Sequence, residues 1–236
     1  MSKLKIRCSS LAKIMTYPNK DELSKGAKSY VKALHKEENF DIKPEFWSRY
    51  IDKGINCEKQ TIELANEILD WKLPFEVIHG QQQAFENEYL TGHPDVINGD
   101  FLAEVKTSWD GNTFPMYGDD EYNKDYKWQC MGYLAVTGLD KCNLVYGLIN
   151  TPEPMVLDQI RREHWKENST WNGDEDEQIV NAVRSRHEFE HVPKNIKLQH
   201  YIIERNEEEI QKIYRRVELC REYWNELNEY LKTKTK

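Results

Sequence analysis

The chain holds no basic leader followed by an apolar stretch and no uninterrupted apolar run of membrane-spanning length. Both absences argue against secretion and against contact with a membrane, so a cytoplasmic protein is expected. Paired cysteines are missing as well. Cys8, Cys57, Cys130, Cys142 and Cys220 are odd in number, scattered, and form no Cys-x-x-Cys pair, which argues against a disulfide framework, a zinc ribbon or an iron-sulfur cluster and for buried reduced thiols. Nor is there a basic excess. The formal net charge is −8, whereas proteins held by phosphate contacts usually carry positive charge, so nucleic-acid binding would require a local basic cleft. No internal repeat and no linker-like stretch divides the 236 residues, and a chain of this length with 39% hydrophobic residues is expected to form one domain.

Local signals outline an α/β order. Ser9 and Ser10 stand ahead of an apolar turn, a helix start that Pro18 and Asn19 interrupt. Residues 44–70 read as a helix opened by Pro44, with apolar residues at Ile51, Ile55, Ile62, Ala65 and Leu69 and a weak point at Gly54. "FEVIHG" (75–80) reads as a strand, residues 121–137 as a helix ended by Gly138, and "CNLVYGLIN" (142–150) as a strand closed by Thr151-Pro152. "NSTWNGDEDEQ" (168–178) reads as a surface insertion. A last helix starts at Asn206, with Glu209 three residues on and an apolar stripe from Ile210 to Leu231. Such a stripe can join subunits as a short coiled coil, but three heptads more often pack on their own domain.

The stretch "GHPDVINGDFLAEVKTS" (92–108) threads charges through an apolar ribbon. Asn98-Gly99 suits a type I′ hairpin turn, which sets Ile97 opposite Asp100, Asp95 opposite Leu102 and His93 opposite Glu104. Because side chains alternate, His93, Asp95, Leu102, Glu104 and Lys106 then share one face, and Pro94, Val96, Phe101, Ala103 and Val105 form the core face. Asp95 and Glu104 become diagonal neighbours about 7 Å apart or less, a separation across which two carboxylates share a divalent cation. A solvated charged face is the commoner reading of a charged hairpin. Against it stand the apolar run itself, the pair of acids, and a lysine two residues beyond the second acid. Two acids suit Mg²⁺ working on phosphate oxygens, and the lysine suits charge developing on a phosphate.

Pro94-Asp95 followed by Glu104-Val105-Lys106 resembles the PD-(D/E)xK signature of a superfamily of metal-dependent nucleases. "GINCE" (54–58) is similar to the G-x-x-x-E helix of lambda-type phage exonucleases and RecB-like nucleases, and "QCMGY" (129–133) to their Q-x-x-x-Y motif. "RCSSLAKIMT" and "LINTP" also look like the phage exonuclease branch, so the resemblance runs from residue 7 to about residue 165. It implies an α/β fold with a central mixed β-sheet flanked by helices, a restriction-endonuclease-like core over about 44–165, and here a helical C-terminal region over about 166–236 that ends in a long helix. It also implies that Asp95, Glu104 and the Val105 carbonyl bind Mg²⁺ or Mn²⁺, that Lys106 is the catalytic lysine, and that Glu58 and Gln129 support the site. His93 fits a neighbouring role. Iron-sulfur relatives of the Cas4 kind are disfavoured by the missing cysteine cluster.

Gln129 and Tyr133 stand at i and i+4, so one helical face presents both. Candidate DNA contacts are Tyr133, Arg7, Ser9 and Ser10, with Lys127, Trp128 and the stretch 184–197 as weaker ones; Tyr117, Tyr122 and Tyr126 lie in an acidic loop without an assigned role. The expected activity is a Mg²⁺-dependent deoxyribonuclease, a phage-type exonuclease that resects DNA ends for an annealing recombinase. Some lambda-type relatives are homo-oligomers. The alternatives are an endonuclease or nickase of the same chemistry, or a DNA-binding module with a nuclease-like fold and no catalysis.

Overall fold

The computed structural model describes residues 3–43, 48–80, 82–118, 122–167 and 176–234. In chain order these form β1 (Ile6–Arg7), a 3-10 helix (Cys8–Lys13), α1 (Lys25–Phe40), α2 (Arg49–Ile68), α3 (Phe75–His79), β2 (Phe85–Glu86) and β3 (Leu90–Gly92). There follow β4 (Val96–Asn98), β5 (Phe101–Thr107), α4 (Lys124–Thr137), β6 (Lys141–Gly147), α5 (Glu153–Glu167), α6 (Glu177–His187), β7 (Leu198–Glu204) and α7 (Glu207–Lys234). The central sheet has the order β4-β5-β6-β7, parallel only between β5 and β6, and a small sheet has the order β1-β3-β2. The mixed sheet with flanking helices and a long last helix is the expected architecture.

The parallel pair β5–β6 needs a crossover, and α4 supplies it. Asn123 caps the start of α4 by accepting from the Asp125 amide, and Gly138, with φ of 77°, ends it in the left-handed conformation. Both faces of β5 are covered. Ala103 and Val105 pack with Val96 and with Ile62, Leu64 and Ala65 of α2. Leu102 packs on the other side with Cys130, Met131 and Leu134 of α4 and with Ile213 and Val217 of α7. Gly132 makes room in that second layer: a Cβ there would lie 2.5 Å from Leu11 Cδ1 and 3.0 Å from Cys8 Sγ, so a larger residue would push these side chains of the Cys8–Lys13 helix aside.

Several expectations are corrected. Residues 75–79 are the short helix α3 rather than a strand; Pro74 starts it, and a five-residue apolar run is too short for periodicity to separate the two states. The Ser9-Ser10 segment is a 3-10 turn whose cap, Arg7, makes no side-chain hydrogen bond. The helix expected over 44–70 is α2, capped by Ser48, which accepts from the Tyr50 amide; Pro44 lies outside the described residues, as do 168–175 of the expected insertion. The strand expected over 142–150 ends at Gly147. The C-terminal region is not wholly helical, because β7 adds an antiparallel edge strand. Asn206 accepts from the Glu209 amide at 3.1 Å, as its capping role requires, and the stripe that follows packs on its own domain.

The hairpin register differs too. Val96 pairs with Ala103, Ile97 with Leu102 and Asn98 with Phe101, so the turn is Gly99-Asp100. Gly99 has φ of 61° while Asp100 is not among the residues with positive φ, the pattern of a type II′ turn with glycine first rather than type I′. Because the shift is by two residues, the side chains that share a face are unchanged. What does change is the meaning of the faces: both are core, and the charged groups occupy only the end of the α4 face.

Candidate active site

Each functional side chain has a separate structural origin. Glu104 and Lys106 are alternate residues in the carboxyl half of β5, so both point towards α4. Asp95 immediately precedes β4 and, with the observed register, stands at the level of Glu104. Gln129 and Tyr133 come from one face of α4, and Glu58 from α2.

Glu104 is the buried centre, 1% exposed. Its Oε1 accepts from Gln129 Nε2 at 2.6 Å and from Lys106 Nζ. Gln129 binds Lys106 in turn, its Oε1 accepting at 3.2 Å, and donates to the Tyr133 hydroxyl at 2.9 Å. Tyr133 donates onward to the His93 carbonyl at 3.1 Å, tying α4 to the segment that carries Asp95. Asp95 Oδ2 accepts from the Val105 amide at 2.8 Å. Gln82, unremarked in the sequence, donates to Glu58 Oε1 at 3.0 Å and to Asp95 Oδ1 at 3.3 Å, bridging two acids that would otherwise repel. A glutamine in a loop carries no periodic signal by which it could have been found.

The electrostatics of the cluster follow from burial and like charge. Burial first, then the neighbouring Glu104 carboxylate, raises Asp95 well above the usual carboxylate range. The same two causes raise Glu58. Burial works against the Lys106 charge, but Glu104 and Asp95 outweigh it and raise its pKa, so the amine is held as ammonium. Tyr133 is raised by burial and then by Glu104, and keeps its proton.

One polar atom is left over. Glu104 Oε2 is buried and has no hydrogen-bond partner among the described residues, a costly state for a carboxylate oxygen unless a ligand completes it. Two carboxylates drawn together at the floor of a cleft of about 1010 Å³ form the hard-oxygen donor set of a divalent cation. Among the described residues no group of three or more His, Cys, Asp or Glu gathers closely enough to hold a metal unaided. Waters and phosphate oxygens would therefore complete the shell, as is usual for Mg²⁺.

Arg7, Ser9, Ser10 and Lys13 line the same cleft from the N-terminal segment, and Val105 and His93 line it beside the acids. The weaker candidates are engaged elsewhere: Lys127 pairs with Glu209 at 2.5 Å, Arg184 with Glu153 at 2.6 Å, Lys194 with Glu67, and Trp128 packs against the core.

The fold is that of solved phage exonucleases, the class that the motifs resemble. The chain is similar over 97% of its length to 97% of a phage-related exonuclease from Haemophilus somnus 129PT, with 26% identity and a TM-score of 0.75. It also shares the fold of the alkaline exonuclease LHK-Exo from Laribacter hongkongensis, at 16% identity over 98% of this chain and 93% of that one, with a TM-score of 0.66. The same enzyme in complex with dAMP superposes with a TM-score of 0.60 at 18% identity. No family model matches the sequence, and no curated protein matches it.

Proposed function

We propose that the protein is a Mg²⁺-dependent deoxyribonuclease, a phage-type exonuclease that hydrolyses phosphodiester bonds from DNA ends and leaves a single strand for an annealing recombinase. The observation that carries this reading is the partnerless, buried Glu104 Oε2 within a carboxylate, lysine and glutamine cluster. Its setting supports it: the fold matches a phage-related exonuclease along nearly the whole chain.

Asp95 and Glu104, with the Val105 carbonyl, would hold the cation. When bound, it supplies charge stabilisation at the phosphate oxygens and makes water more acidic. Lys106 keeps its proton under the field of Glu104 and Asp95, so it acts as a donor to the charge that develops on the phosphate, not as a base. Gln129 fixes both Glu104 and Lys106 through its two amide atoms. This removes the rotameric freedom that would misplace them. Glu58, made more basic by burial and by Glu104, stands at the cleft wall as a carboxylate that accepts a proton more readily than an exposed one. Arg7, Ser9 and Ser10 bind the DNA backbone. Tyr133, buried and with its hydroxyl committed to Gln129 and the His93 carbonyl, positions the site rather than touching DNA, the role expected of it. A cytoplasmic location belongs to the same reading; no helix of the described residues is long and apolar enough to cross a membrane.

Incubating linear and covalently closed circular DNA with and without Mg²⁺ tests the reading. Mg²⁺-dependent loss of linear DNA alone is expected. Nicking of circles would replace the exonuclease with an endonuclease, and no cleavage of either would leave a binding module. Light scattering of the full chain would report whether it assembles into a homo-oligomer.

A further inference from the structure

Beside the catalytic cleft lies a second cavity, of about 480 Å³, walled by five aromatic rings: Tyr50, Trp109, Tyr122, Tyr126 and Tyr146. The two are continuous, because Tyr50, Lys106, Thr107 and Tyr126 line both. Lys106 is the junction, with its ammonium 4.7 Å from the centre of the Tyr126 ring. The hydroxyl and cationic groups Arg7, Ser9, Ser10 and Lys13 line only the cleft. Arg7 and Lys13 thus stand on one side of the acids and the rings on the other. Ser108, Thr113 and Asn123 also line the ring-walled cavity, and the Arg49 guanidinium lies 5.2 Å from the Tyr50 ring centre and 5.1 Å from that of Trp109.

The aromatic wall is also built rather than incidental. Trp109 packs edge-on against Tyr50 at 4.9 Å and against His187 at 5.1 Å. Its carbonyl accepts from Lys53 Nζ at 2.8 Å. Lys53 is fully buried on α2 and has no ion pair with a carboxylate among the described residues. Burying an unpaired ammonium is unfavourable, and what it accomplishes here is to hold the loop that presents Trp109.

We propose that this aromatic pocket is a nucleoside site that receives the base and sugar of the nucleotide adjoining the scissile phosphate. The inference rests on the nuclease reading and adds to it the part of the substrate that the carboxylates do not touch. A phosphate at Lys106 has a nucleoside attached on each side, and the one directed away from Arg7 and Lys13 enters the ring-lined cavity. The volume is in the range of small-ligand pockets. Stacking on aromatic rings accepts every base, because every base has a π-face, and this suits an enzyme that must degrade DNA regardless of sequence.

Tyr50 is the residue to vary, because it is 54% exposed and its removal leaves the core intact. Calorimetry on the full chain with Mg²⁺ would compare thymidine 5′-monophosphate with 2-deoxyribose 5-phosphate, which lacks the base, while Mg²⁺-dependent digestion of linear DNA is followed in parallel. In the wild type the nucleotide is expected to bind at least about ten-fold more tightly than the sugar phosphate, the size of one stacked base. Tyr50→Ala should shrink that gap several-fold without changing sugar-phosphate binding, and Tyr50→Phe should keep it. Equal affinity for the two ligands in the wild type, or an undiminished gap in Tyr50→Ala, overturns the pocket assignment. If DNA is still digested in that case, only the pocket falls; if DNA is not digested, the nuclease reading falls with it.

Discussion

Lys53 offers a stability test whose sign can be worked out from the structure. Its amine is fully buried, and burial lowers its pKa from 10.5 to about 8. Below pH 8 the lysine is protonated in both states, and the folded state bears the whole cost of the buried charge. Between pH 8 and 10.5 the folded lysine gives up its proton while the unfolded one keeps it, so stability rises with pH across this window. Each tenfold difference in proton affinity between the two states is worth about 1.36 kcal/mol. The full difference is therefore about 3 kcal/mol, of which roughly 2.5 kcal/mol is gained between pH 7 and pH 10. The neutral amine can still donate to the Trp109 carbonyl, so the anchor persists. Lys53→Met removes the titration and leaves that carbonyl without its donor, a loss of about 1–3 kcal/mol at every pH. The variant should therefore be comparable to the wild type at pH 7 and fall behind it by roughly 2–3 kcal/mol at pH 10. Urea unfolding of both proteins at half-unit pH steps measures the gap, and taking the difference cancels groups common to the two. A gap that stays constant within about 0.5 kcal/mol from pH 7 to pH 10 would refute a lysine titrating near 8.

Lys106→Ala should lower turnover by roughly 10²–10⁴-fold, because the ammonium acts chiefly on charge present in the transition state, and should lower the thermal midpoint of the metal-free protein, because Glu104 and Asp95 lose their counter-charge; unchanged single-turnover rates would remove it from the site. Asp95→Asn and Glu104→Gln should each abolish digestion and weaken Mg²⁺ binding in calorimetry, and Asp95→Asn should raise the melting temperature of the metal-free protein, since one of two repelling buried carboxylates is gone. Wild-type Mg²⁺ affinity in both variants would exclude these acids as ligands. Inserting one residue between Asn98 and Gly99 forces a bulge or turns every following side chain over. Because both faces of β5 are buried, it would drive Glu104 and Lys106 beneath α2, and the expected result is an inactive protein of lowered thermal midpoint; full activity would contradict the two-residue turn. Gln82→Leu should leave stability within about 0.5 kcal/mol, as for an exposed site, yet raise the Mg²⁺ concentration needed for half-maximal digestion by separating Glu58 from Asp95.

Where the governing interactions are local, the amino-acid order by itself was sufficient. Alternation along a strand has a period of two whatever surrounds it, so the grouping of Asp95, Glu104 and Lys106 on one face survives even though the pairing moved by two residues. The i, i+4 spacing of Gln129 and Tyr133, the left-handed stop at Gly138 and the cap at Asn206 are likewise properties of a few consecutive residues. Register was beyond reach for the same reason: pairings that differ by two residues keep every side chain on its face, and the backbone of Asn98, which lacks the positive φ of a type I′ turn, separates them. The second buried face of β5 depends on α2, the helical state of residues 75–79 on how Ile78 packs into the core, and the β7 edge on its long pairing with β6. Tertiary structure alone brings Gln82 between Glu58 and Asp95, sets Lys53 under Trp109, and collects rings from positions 50, 109, 122, 126 and 146 into one cavity. Those residues lie in different elements and loops, and chain order carries no distance information across them until the sheet and its crossover helix have closed.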